Sequence, residues 1–197
     1  TRKLIPLDDD RMPTLMGNYK VPHFDAKGEA DAVFAERVPT TNLATSVYWE
    51  NLIYFGMGPK PAEDGTLTFA LPMGEKKLPG IAAADIGKCA YGVFKGGDAH
   101  VGKTVGIAGE QLTGQEMAAA LGSALGKTVN YQAVPFDVYR GHGFQGADDL
   151  GNMFQYKHDF NEQFCELRSP ERSRELNSEL QGFGAWLEQH AASIPLE

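Results

Sequence analysis

The prolines at positions 22 and 39 constrain the fold more tightly than any other feature of the sequence. Pro22 suits the first position of a helix, because the N–H it lacks would be unpaired there anyway; Pro39 breaks the chain that follows. The spacing predicts a helix from Pro22 with His23 and Lys27 one turn apart on one face. Ala26, Ala30, Val33 and Phe34 form its expected packing stripe. Thr40 to Val47 is rich in β-branched residues and reads as a strand. The word Tyr48-Trp49-Glu50-Asn51 then falls at the strand's carboxyl end, where open α/β sheets hold their ligands.

Upstream, Asp8 to Pro13 reads as a loop, and Tyr19 lies too far before Lys27 to share its helical face without crossing Pro22. Downstream, strands are predicted at Leu67 to Leu71, Thr104 to Ala108 and Thr128 to Val134. Asp64-Gly65 marks a tight turn before the first of these. Ile81 to Phe94 reads as a short strand and then a helix begun or capped by Asp85, with Ile86, Cys89, Ala90, Val93 and Phe94 inward. Thr113-Gly114-Gln115-Glu116 is a capping box, and Gly126 closes the helix it opens. Helical pieces follow at Phe136 to Arg140, Ala147 to Tyr156 and Phe183 to Gln189. Strands alternating with helices indicate an α/β class.

Two motifs match letter for letter and fail on context. Gly97 to Thr104 spells a phosphate loop, but that loop must run from strand to helix, and here a helix leads into a strand. Gly141 to Gly146 spells a dinucleotide fingerprint, yet Pro135 and a helical turn separate it from the preceding strand. Asp148 and Asp149 would also repel a pyrophosphate at the helix it opens. That segment is expected to wall the substrate-side cleft instead.

A net charge of -8 excludes a direct nucleic-acid partner, which needs a clustered basic face. Two cysteines make no disulfide framework and have no metal spacing, so no metal site is expected. Cys89 reads as a core residue, and an inert thiol is the expectation for Cys165. No apolar run reaches membrane-spanning length and no signal pattern opens the chain, so a cytoplasmic compartment is expected.

The order of lysine helix, strand and aromatic-acid-amide word resembles the NmrA-like group of atypical short-chain dehydrogenases, particularly its HSCARG-type NADPH-sensor branch. The likeness continues through Leu71 to Gly74, Asp85 to Gly87, Ala108 to Thr113 and Gly146 to Leu150, nearly the whole chain. It implies a remnant of a Rossmann-like NAD(P)-binding fold in residues 1–55, with the strand at 104–109 returning to it. Residues 56–197 would form a smaller mixed α/β domain for substrate or partner. Lys27 would bind the nicotinamide ribose, and Tyr48, Trp49, Glu50 and Asn51 would line the nicotinamide end of the pocket. His23 stands where ordinary short-chain dehydrogenases carry the acid/base tyrosine; it is a candidate proton carrier or a partner and spacer for Lys27.

The resemblance implies NADP(H) as cofactor and two uses for it. One is a redox sensor whose cofactor occupancy controls a regulatory protein partner; the other is a reductase acting on a small carbonyl, quinone or imine-like substrate. The family's opening strand and glycine-rich turn have no counterpart in the sequence. Weak or absent NADP(H) binding by the 197-residue chain alone, and self-association through uncovered apolar faces, are therefore expected.

Overall fold

A computed structural model describes residues 21–196; the loop read at Asp8 to Pro13 and the position of Tyr19 lie outside the described residues. Helix α1 spans Pro22–Ala35 with the proline in its first turn. The expected strand at 40–47 is instead two short ones, β1 (Asn42–Ala44) and β2 (Val47–Tyr48). Arg168 explains the break: its Nε donates to the Thr45 carbonyl at 2.8 Å, taking that oxygen out of the ladder. Each half therefore finds its own partner. β1 pairs in parallel with β6 (Thr104–Gly106), and β2 pairs in parallel with β5 (Leu78–Ile81). β5 also pairs antiparallel with β7 (Glu110–Leu112), so it lies between β2 and β7.

A third sheet, β3 (Lys60–Pro61), β4 (Leu67–Leu71) and β8 (Val129–Ala133), is ordered 3-4-8, with β4 and β8 parallel. Leu67, Phe69 and Leu71 are buried as the alternation predicts. Gly65, at a φ of 82°, makes the turn before β4, and the Asp64 carboxylate accepts the Thr66 N–H at 2.9 Å. Helix α4 (Gly114–Leu125) carries the full capping box: Glu116 N–H to Thr113 Oγ1 at 3.2 Å and Thr113 N–H to Glu116 Oε2 at 2.8 Å. The short α2 (Asn51–Tyr54) follows β2, and α3 (Ala83–Gly96) follows β5. The C-terminal region is helical: α5 (Phe136–Arg140), α6 (Ala147–Asp159), α7 (Asn161–Leu167), α8 (Pro170–Leu176) and α9 (Phe183–His190). The sequence reading stopped α6 three residues early and did not place α7 or α8.

Both rejected motifs have the context that excluded them. Gly97–His100 is a 3₁₀ turn between α3 and β6, and Gly141 to Gly146 joins α5 to α6. Two expected stripes are corrected. On α1, Val33 and Phe34 are 52% and 61% exposed, and Ala26 and Ala30 are exposed. The packed side carries His23, Phe24 and the buried Gly28, because α1 lies against α6 through polar as well as apolar contacts. On α3, Cys89 and Val93 are buried but Phe94 is 82% exposed. Asp85 lies in the first turn of α3, as one expected alternative had it, but does not cap the helix. It is fully buried and accepts from Asn177 Nδ2 at 3.1 Å and the Gln181 N–H at 2.9 Å, tying down the segment before α9.

Candidate functional site

Trp49, Phe183 and Trp186 form the aromatic centre of the main core, with Trp49 5.3 Å from Phe183 and 6.1 Å from Trp186 between ring centres. The fit depends on glycine: a Cβ at Gly80 would lie 2.2 Å from Trp49 Nε1. Glu50, next in the word, also works inward. Both of its carboxylate oxygens accept the Ala83 N–H, at 3.0 and 2.9 Å, so it closes the first turn of α3. It also accepts Trp186 Nε1–H at 3.2 Å. A carboxylate at a helix N-terminus is stabilising there. Tyr48 and Asn51 stand differently. Tyr48 is exposed, with its hydroxyl 3.4 Å from Thr45 Oγ1, and Asn51 is half-buried as the first residue of α2.

On α1, His23 Nδ1 hydrogen-bonds Asp149 Oδ2 of α6 at 2.7 Å, and the other oxygen of Asp149 is buried with no partner. Lys27, one turn on, is exposed and makes no hydrogen bond or ion pair among the described residues. The α6 face beneath α1 continues from Asp149 through Met153 to Lys157, at four-residue intervals. Lys157 is the residue that sequence reasoning missed. It is buried, its Nζ lies 3.3 Å from Met153 Sδ, and three rings surround it: Phe24 at 5.9 Å, Phe154 at 5.5 Å and Phe164 at 5.6 Å. The available signal was its place four after Met153, flanked by Tyr156 and Phe160.

No carboxylate within reach compensates the Lys157 charge among the described residues. Burial, then the neighbouring charges of Arg168 and Lys27, push its pKa down to about 7. The rings oppose this, but near the outer limit of a cation–π contact each is worth only about 0.5–1 kcal/mol, less than burial costs an unpaired ammonium. Arg168 is also buried, stacked on Phe164 at 3.7 Å, and donates to the carbonyls of Thr45 and Phe164. Burial pushes it down to about 10, and it keeps its charge at neutral pH. Lys157, Phe164, Arg168, Thr45 and Tyr48 thus follow one another toward the strand-end word, and Lys27 bears on the first of them as a like charge. Of the predicted residues, Tyr48 stands at the far end of this run, Asn51 lies near it in sequence, and Trp49 and Glu50 hold the word from within.

Burial pushes the Cys89 thiol up to about 11 and raises that of Cys165, so neither is a thiolate at neutral pH. No metal-holding group of histidine, cysteine and carboxylate side chains occurs among the described residues, and no described helix is long and apolar enough to cross a membrane. An open cleft of about 610 Å³ lies elsewhere, between β7 and α7–α8, lined by Lys77, Glu110, Cys165, Ser169 and Arg174 among others; none of the predicted site residues lines it.

Known proteins share this architecture. NmrA, described as a negative transcriptional regulator and solved in complex with NADP, is 21% identical, with a TM-score of 0.58 over 79% of this chain and 52% of that one. The triphenylmethane reductase of Citrobacter sp., solved with NADP(H), is 18% identical, with a TM-score of 0.60 over 86% and 58% of the two chains. An NADPH-dependent quinone oxidoreductase of Escherichia coli is 20% identical, with a TM-score of 0.55 over 75% and 50%. At these identities the likeness establishes a mixed α/β, Rossmann-like fold, and this chain spans about half the length of the structures it matches. The profile of the NmrA-like family matches residues 11–187, and the chain belongs to that family.

Proposed function

We propose that the chain supplies the nicotinamide side of an NADP(H)-binding redox sensor whose cofactor occupancy governs a regulatory protein partner. The observation that carries this reading is the exposed Lys27 amine on α1, which has no hydrogen-bond or ion-pair partner among the described residues, together with Arg168, which holds the Thr45 carbonyl at the joint between β1 and β2. Lys27 would donate to ribose hydroxyls. Tyr48 and Asn51 would meet the nicotinamide end, and Trp49 and Glu50 would keep the word rigid rather than touch the cofactor. A sensor is favoured over an ordinary dehydrogenase because the acid/base tyrosine is replaced by His23.

A reductase acting on a small carbonyl or quinone-like substrate is the second reading, favoured by the His23–Asp149 pair. A carboxylate on Nδ1 fixes the ring and leaves Nε2 to move a proton. Measuring NADPH binding beside NADPH consumption with carbonyl, quinone and imine acceptors separates the two. Saturable binding without turnover is expected of the sensor; turnover that falls in His23→Gln with binding retained would establish the reductase instead. This chain covers only 52% of the NmrA structure it matches, and no submicromolar NADPH affinity by calorimetry is expected for the 197-residue chain.

A further inference from the structure

Lys157 is placed where an ammonium has little to gain. Its end is enclosed by Phe24 from α1, Phe154 and Met153 from α6 and Phe164 from α7, so Phe24 forms the α1 side of the enclosure. The charged groups that act on it are Lys27 from α1 and Arg168 just beyond α7, both of its own sign. The nearest acids and bases along α6 are engaged elsewhere: Asp149, two turns before, with His23, and His158, the next residue, with Asp159 at 2.8 Å. Tyr156, on its other side, is held neutral by burial, pushed up to about 12.

We propose that Lys157 is a proton-sensitive latch: its uncharged amine lets α1 dock on α6, and an ammonium there favours release of α1 and so displaces Lys27. Lifting Phe24 would admit water to the amine and separate it from Lys27, relieving the two costs that docking imposes on the charged form. The consequence for cofactor rests on the function proposed above, but the docking is measurable without any cofactor.

The folded value near 7 against an ordinary 10.5 fixes the window. A released α1 takes up the proton and a docked one does not. Docking should strengthen as pH rises from about 7, by roughly tenfold per unit up to a complete exposure limit. Hydrogen exchange of the α1 amides, residues 22–35, read at about pH 7 and about pH 8.5 and divided by intrinsic rates, should show protection rising by roughly fifteenfold at the upper pH. Lys157→Met should hold protection high and flat across that range, while Asp149→Asn should lower it and keep the slope. Equal protection of wild-type α1 at both values, or the same slope in Lys157→Met, would overturn the latch. Both Lys157→Met and Lys157→Gln are made, so that a folding defect in one is recognised from the other. Failure to bind NADPH would bear on the proposed function and leave these outcomes as they stand.

Discussion

Replacing Lys157 by methionine should stabilise the protein, and the gain should vanish as pH rises. The side chain is enclosed, so the whole difference between about 7 in the fold and 10.5 in the unfolded chain acts on stability without solvent screening. A lowered folded pKa means that the stabilising contribution is complete above the unfolded value and lost as pH falls through the folded one. At about 1.4 kcal/mol per unit, and with the folded amine half-protonated at about pH 7, wild-type stability should rise by about 2 kcal/mol between about pH 7 and about pH 9 from this group alone. The window is well chosen: Cys89, raised to about 11 from 9.0, acts against it only above about pH 9, and Arg168, lowered to about 10, acts in the same direction only above that. Urea denaturation of wild type and Lys157→Met across this range should give a sloping line and a flat one, with the variant ahead by a few kcal/mol at the lower end. In melting temperature this corresponds to roughly 6–12 °C. Parallel pH profiles would refute the assignment of an unpaired buried amine.

Other consequences follow from the same structure. Glu50→Ala removes the carboxylate from the Ala83 N–H and from Trp186 Nε1, and should cost about 1–3 kcal/mol in chemical denaturation. Gly80→Ala drives a methyl into the Trp49 ring and should destabilise by about 1–3 kcal/mol, with a change in tryptophan emission. Both cysteines should resist alkylation by iodoacetamide at neutral pH and react fully in urea, since burial keeps the thiols protonated.

What could be read from the sequence was local, and what could not be read depends on distant partners. Pro22, the Thr113–Glu116 box and the alternation of Leu67 to Leu71 are complete within a few residues, and each has its expected structure. The strand at 40–47 looked continuous because Arg168, which claims the Thr45 carbonyl, lies 123 residues away. Phe34 shares its helical spacing with Ala26, Ala30 and Val33, and Phe94 with Ile86 and Ala90, but spacing alone does not say which side of a helix is covered. The bond from the Ala83 N–H to Glu50 could not be read either, because the two lie 33 residues apart. Lysine on a helix ordinarily means surface; burial of Lys157 depends on rings at positions 24 and 164, which only the assembled fold brings together.

Contact between cofactor and the Lys27 face is tested most directly by nuclear magnetic resonance of the labelled chain titrated with NADP to millimolar concentration, where weak binding is still visible. Signals of Lys27, Tyr48 and Asn51 are expected to shift together, and the shifts are expected to disappear in Lys27→Met. Shifts that spare these three residues, or that persist unchanged in the variant, would contradict a nicotinamide site at this end of the sheet.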